Sequence, residues 1–251
     1  MTSIDSKLGT KQPALSAHRV VILGGTGRVG EGIVRSWLAA GAEVIIPTRT
    51  ENRGKELLAR LENIDTANLE LVVGEYTSFT AATDMAQRIT GEFGDVTDVI
   101  AAIGGWWQGK PLWEVAESEW QRFNLDLSTA HVANVRAWLP LLAPAGSYHL
   151  ALGGSATTPV PGASIINMEQ AGLLMMHRVL SAEAGTQRRV FAHELGPVAT
   201  RERSWVDPQW ITNEELGSIT AALAARPDRP SAHYTLRTTQ AATQLMKELA
   251  A

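Results

Sequence analysis

Cysteine is absent from this chain. Disulfides and thiolate chemistry are thereby excluded, and the cytoplasm is the expected compartment. No apolar run approaches the ~18 residues of a membrane span. No long run of lysine or arginine occurs and the net charge is −4, so neither a membrane nor a nucleic acid is an expected partner. Residues 1–17 lack the apolar stretch of a secretory signal and read as a mobile polar leader. No metal site is assigned. Tyrosine and lysine are both scarce. The tyrosines are Tyr76, Tyr148 and Tyr234, and the lysines are Lys7, Lys11, Lys55, Lys110 and Lys247. Between positions 111 and 246 there is not one lysine.

What is present is an alternation. Strand-like runs occur at 19–23, 43–47, 69–73, 98–103, 147–152 and 189–195. Several are near-continuously apolar, as parallel strands covered on both faces must be. Amphipathic segments at 29–40, 51–62, 79–91, 115–141 and 164–184 separate them. The pattern predicts an α/β fold: a Rossmann-type doubly wound parallel sheet, three layers deep, in one domain over 18–251. A lid loop is expected at about 199–225, with a helix from 213. "AHYTL" and 238–250 predict a last short strand and a terminal helix.

"VVILGGTGRVGEGIV" leads from the first strand into a helix. Gly24, Gly27 and Gly30 allow a sharp turn and a close approach to a diphosphate, and the helix that follows offers free N–H groups and a positive dipole end. The loop Gly24, Thr26, Gly27, Arg28, Val29 and Gly30 is therefore the candidate diphosphate cradle. At the tip of the second strand an acid would bond ribose hydroxyls and repel a 2′-phosphate. Here stand Thr48 and Arg49, with Arg53 nearby. A guanidinium grips phosphate through forked hydrogen bonds, so NADP(H) is expected over NAD(H).

Several motifs carry a family resemblance over about residues 18–200. "LGGTGRVG", "GEYTS" after the third strand, "AAIG" after the fourth, "EWQRFNLDLS" and "HELGPVAT" together resemble the short-chain dehydrogenase/reductase family. The resemblance implies Glu75 near the adenine amine, Tyr76 against the adenine ring, Ala102 and Gly104 along the cofactor, and Val198 and Thr200 at the nicotinamide carboxamide. Either Asn124 or Asp126 takes the place of the family's structural asparagine. Pairing through helices equivalent to 128–141 and 164–184 is implied, giving a homodimer or homotetramer.

The family's proton chemistry rests on Tyr-xxx-Lys, two side chains on one helix face, with the lysine lowering the phenol pKa. "NMEQAGLL" resembles "SASKAALL", which puts Ile166 at the tyrosine and Gln170 at the lysine. The lysine census makes the same point without alignment: the relay cannot exist. Gln170 keeps a hydrogen-bonding role toward ribose hydroxyls. Ser155, displaced from the family's serine position, and His193, near the end of the sixth strand, are the candidate replacements. Thr157 and Thr158 read as loop polarity, His149 and Tyr148 as core, and Glu169 as an interface or surface residue.

Tryptophan is the other unusual feature. Trp106 and Trp107, with Trp113 behind them, follow Gly104–Gly105, and Trp205 and Trp210 lie on the loop after "GPVAT". They line either a pocket for an apolar or aromatic small molecule or a packed contact. The expected function is hydride transfer to or from an apolar carbonyl, enone or imine without the usual relay. The alternatives are a silent NADP(H)-binding or sensor protein, or non-redox chemistry in the same pocket.

Overall fold

The computed structural model describes residues 13–250. Of the expected leader, residues 1–12 lie outside the described residues. Leu15 is fully buried and its N–H donates to the Ala40 carbonyl at 2.8 Å, so the packed body takes in this segment.

Seven strands form one parallel sheet: β1 (Arg19–Leu23), β2 (Glu43–Thr48), β3 (Leu69–Val73), β4 (Val96–Ala101), β5 (Leu142–Gly153), β6 (Arg189–Leu195) and β7 (Ala232–Leu236). Their order is β3-β2-β1-β4-β5-β6-β7. The helices are α1 (Arg28–Ala39), α2 (Glu51–Arg60), α3 (Phe79–Phe93), α4 (Glu117–Trp120), α5 (Asp126–Trp138), α6 (Ser164–Ala184), α7 (Asn213–Ala224) and α8 (Thr239–Ala250). Between α4 and α5 the chain stays helical through one wide turn, Gln121–Leu125. This is the doubly wound three-layer fold that the alternation predicts, in one domain. No helix among the described residues is long and apolar enough to cross a membrane.

Two cores explain the layers. Val20, Ile22, Ile46, Ile100 and Phe191 face α1, α2, α7 and α8, where Trp37, Leu57, Ile219 and Leu245 close the layer. Val21, Ile45, Val99, Tyr148 and Ala192 face α3, α5 and α6. The first core is tight: an added Cβ on Gly32 would lie 2.4 Å from Asn213, and one on Gly217 2.6 Å from Ser36.

β5 starts five residues earlier than its apolar run predicts. Pro144, Ala145 and Gly146 disguise the first half of the strand. Its register with β4 shifts between Val96 and Asp98, and Ala145 takes up a positive φ of 63°. Gly146 fits there because a Cβ would meet the Thr97 carbonyl oxygen at 2.3 Å.

A buried polar chain crosses the sheet on the α1/α7 side. His18 and Thr97 bond one oxygen of Asp98, each at 2.8 Å. The Ser147 hydroxyl donates to the other. Ser147 must then accept from His149 Nε2 at 2.8 Å, which leaves His149 Nδ1 to accept from His193 Nε2 at 3.0 Å. The chain ends on His193 Nδ1, a buried acceptor without a partner. Burial holds both imidazoles neutral, His149 well below its ordinary value and His193 down to about 3.

Candidate functional site

The strand order reverses between β1 and β4, and the glycine turn sits at their C-terminal ends, the crevice where doubly wound sheets bind ligands. Gly24 has φ +80°, and a Cβ there would lie 2.4 Å from the Ala102 carbonyl oxygen. On Gly30 a Cβ would lie 2.2 Å from the Gly24 carbonyl oxygen. The turn thus has no room for side chains at these two positions. The first turn of α1 follows it with free N–H groups, and Gly27, its N-cap, brings no capping side chain. This cradle fits a dinucleotide diphosphate.

Charged groups from the loop between β6 and α7 lie across the start of α1. Arg201 bonds Glu31 at 2.9 Å, Arg60 bonds the same carboxylate at 2.8 Å, and Arg28 pairs with Glu202. Asn213 donates to the Arg28 carbonyl at 2.8 Å. Ala199 N donates to the Ile211 carbonyl at 2.8 Å, which fixes the turn bearing Val198 and Thr200, both half-buried. Glu31 is nearly fully buried. Its role as the common acceptor of Arg35, Arg60 and Arg201 carries no signal in the sequence.

At the tip of β2, Thr48 is buried and its hydroxyl donates to the Thr50 carbonyl at 3.2 Å. Arg49 and Arg53 are exposed. Among the described residues neither guanidinium forms an ion pair. The exposed Glu75 accepts from Tyr76 N and from the Thr77 hydroxyl, both at 3.0 Å. Tyr76 is turned inward, with its backbone carbonyl held by Asn134 at 2.8 Å. Burial raises the Tyr76 phenol pKa; the charge of Arg49 and a bond to the Gly24 backbone oppose the shift.

At the C-terminal end of β5, the 3₁₀ turn Gly154–Ala156 follows the strand. Of its loop hydroxyls, Thr157 donates to Glu194 at 2.7 Å and Thr158 accepts from Arg237 at 3.0 Å. Ser155 stands apart: its Oγ is buried without a partner. Gln170, on α6, accepts from Gly153 N at 2.5 Å and donates to Glu169 at 2.6 Å. Ile166 packs in an apolar cluster with Ile165, Trp107 and the flanking Phe123 and Leu127. His193 lies in the buried chain described above and is 1% exposed.

One residue stands differently from its reading in sequence. Glu169, read as outward, is 2% exposed, and burial raises its carboxyl to about 7 against the lowering effect of the Gln170 bond. The signal was available, since Glu169 is four residues from both Ile165 and Leu173 and shares their face. Of the two candidates near the wide turn, Asn124 is buried and Asp126 points outward to Gln121 at 2.7 Å.

The tryptophans divide. Trp107 is buried, its Nε1 donating to Glu119 at 3.1 Å. Glu119 also accepts from Lys110 at 2.9 Å and from Ala116 N at 2.9 Å, and the backbone, lysine and indole donors bring its pKa down to about 2. That carboxylate organises the 106–120 segment. Trp106, Trp113 and Trp205 are exposed, and Trp205 meets Trp210 edge-on at 5.3 Å.

The glycine turn at a strand-order reversal defines the class, a Rossmann-like doubly wound protein. A family model described as enoyl-(acyl carrier protein) reductase matches residues 27–224. The chain belongs to the short-chain dehydrogenase/reductase family. It is similar to a hydroxysteroid 11-beta-dehydrogenase 1-like protein of Xenopus tropicalis, 27% identical over 59% of this chain and 51% of that one. It is also similar to the cis-2,3-dihydrobiphenyl-2,3-diol dehydrogenase of Paraburkholderia xenovorans, 24% identical over 70% of this chain and 64% of that one. The chain thus spans between half and two thirds of the length of these relatives. Among solved structures, the apo short chain oxidoreductase from Pseudomonas aeruginosa PAO1 containing an atypical catalytic center aligns with TM-score 0.78 at 18% identity, over 89% of this chain and 97% of that one. A short chain dehydrogenase from Shigella flexneri 2a complexed with NADP aligns with TM-score 0.77 at 19% identity, over 90% and 99%. At such identities the likeness is one of fold.

Proposed function

We propose that this protein is an NADP(H)-dependent oxidoreductase acting on an apolar or aromatic carbonyl, enone or imine. The observation that carries this reading is the cradle: two glycines without room for a Cβ, at the sheet's switch point, with the unpaired Arg49 guanidinium beyond the tip of β2. When bound, the nicotinamide supplies or takes up hydride. The chain's own residues do the rest. Gly24 and Gly30 let the backbone approach the diphosphate, while Arg49 and Arg53 take the 2′-phosphate. Val198 and Thr200 hold the carboxamide, Ser155 orients the substrate, and Ile166 with the tryptophans forms an apolar wall.

Stereospecific transfer of deuteride from labelled NADPH to a member of a carbonyl and enone panel tests the activity. Tight NADPH binding without transfer to any member would overturn it in favour of a binding or sensor protein. One observation favours that second reading: Gln170 already spends its amide on Gly153 and Glu169. For cofactor choice, Arg49→Glu is expected to weaken NADPH binding by roughly 100-fold, as loss of a charge-assisted phosphate contact plus added repulsion implies, and NADH binding by less than about threefold. Equal losses would remove Arg49 from the phosphate site.

We place the protein in the cytoplasm as a homodimer or homotetramer. Val132, Met168, Met175 and Val179, exposed on α5 and α6, support a paired face there.

A further inference from the structure

The site has lost a phenol and an ammonium, yet the same helix buries an ionisable group that no step above uses. Glu169 lies beside Gln170, and the two are joined by a 2.6 Å bond from Gln170 Nε2 to Glu169 Oε2. The other end of that amide is pinned to Gly153 N at the tip of β5. Gln170 therefore stands between Glu169 and the β5 tip, where Ser155 Oγ lies 3.4 Å from the Cβ position of Gly153. Two atoms of this set are buried without any partner, Glu169 Oε1 and Ser155 Oγ. Buried polar atoms are almost always satisfied, so a pair of orphans around one amide marks a place where a ligand or water completes the bonding.

We propose that the Glu169–Gln170 pair replaces the tyrosine–lysine relay, with the Glu169 carboxyl as the reservoir for the proton that the reaction consumes. The inference rests on the NADP(H) reading above. In the reductive direction the substrate carbon gains hydride, and its oxygen, left with the electron pair of the broken π bond, gains the Glu169 proton by way of Ser155 or a water. Glu169 remains as a carboxylate and regains its proton from solvent by the same route, through Ser155 or a water. Oxidation reverses each transfer. Glu169 is a positioned acid acting through its neighbours, since its oxygens are closed off from bulk water.

No other charge governs this carboxyl. On the α5/α6 side of the sheet the buried titratable groups of the packed elements are His131 on α5, Tyr148 on β5, Glu194 on β6 and His177 on α6. None bonds it or shifts it, and burial sets its protonation with Gln170 alone opposing. At pH 7 such a group is about half protonated and responds to any nearby charge. The oxidised nicotinamide ring is positive and the reduced ring is neutral. Binding of NADP⁺ should therefore expel the proton and binding of NADPH should not.

The test is calorimetric titration of the full chain with NADP⁺ and with NADPH at pH 7, in buffers of different ionisation enthalpy. We expect release of roughly 0.4 proton with NADP⁺ and close to none with NADPH, as follows from a half-protonated acid meeting a positive charge. Glu169→Gln should bind both nucleotides within about threefold of the parent and release no proton with either, because the amide keeps the shape and loses the titration. Equal release for the two redox forms, or release surviving in Glu169→Gln, would overturn the proposal. Absence of any binding heat in the parent would instead overturn the NADP(H) reading on which it rests. Should the variant not fold, infrared difference spectra of the parent between its NADP⁺ and NADPH complexes decide. A protonated carboxyl band lost in the NADP⁺ complex supports the reservoir, and an unchanged carboxyl region contradicts it.

Discussion

Acidification from pH 7.5 to 5 should remove about 6 kcal/mol of folding stability through three histidines alone. His131, His149 and His193 are each fully buried, and burial holds them neutral: His131 is brought down to about 4, His193 to about 3, and His149 well below its ordinary value. In the unfolded chain each binds a proton near pH 6.5. Below that pH the unfolded state holds more protons than the folded one, so stability falls as pH falls. Each histidine contributes about 2 kcal/mol of the loss at pH 5. Whole domains are stable by only about 5–15 kcal/mol, so acid unfolding should set in near pH 5. Glu169 acts in the opposite sense. Its folded value is raised to about 7, so its contribution is fully present below the unfolded carboxyl range and is lost as pH rises through 7. The three histidines outweigh the one carboxyl up to about pH 7.5, so stability should rise from pH 5 and level off above about 7.5. Urea unfolding at half-unit steps from pH 8 to 5 measures the curve. In His149→Leu/His193→Leu the acid limb should flatten by about 4 kcal/mol over that range. An unchanged limb would mean that the two imidazoles are not held neutral.

Gly30→Ala is expected to have the largest effect of any single methyl. Its Cβ would lie 2.2 Å from the Gly24 carbonyl oxygen and 2.7 Å from the Gly25 Cα, both backbone atoms that cannot rotate away. The turn must open to admit it, and the N–H groups of α1 then lose their aim at the diphosphate. We expect NADPH affinity to fall by at least about 100-fold, a cost of ~2.7 kcal/mol, together with a loss of stability of roughly 1–3 kcal/mol from overpacking. Gly91→Ala is the control. It lies inside α3, and an added Cβ there meets nothing within 4 Å. It should leave binding intact and stabilise the helix by roughly 0.5–1 kcal/mol. Isothermal titration with NADPH and thermal unfolding of both variants check the pair. Parent-like affinity in Gly30→Ala would show that the turn does not carry the diphosphate.

The fold was legible because its physics is local and repetitive. Apolar runs such as "RVVIL" and "RVFAHEL" can only be strands buried on both faces, and α6 follows its expected boundaries, 164–184, without change. The first half of β5 escaped because Pro144 and Gly146 look like a turn, while the strand absorbs them as an irregularity opposite Val96–Asp98. In the site, the glycine turn was readable since only glycine fits so close to neighbouring backbone. The side-chain networks were not. That Glu31 collects three arginines, or that His149 and His193 join Asp98 through Ser147, depends on which residues the sheet order makes neighbours. Glu169 was misplaced for a different reason. One helical step turns it only about 100° from Gln170, and α6 buries a broad face from Ile165 to Leu174 that includes both.

The central claim is that a nicotinamide dinucleotide rests its phosphates on the turn Gly24–Gly30. Calorimetric titration of the purified chain with NADPH tests it most directly. We expect one site per chain with micromolar affinity, tighter for NADPH than for NADH. No binding heat for either nucleotide at millimolar concentration would contradict it.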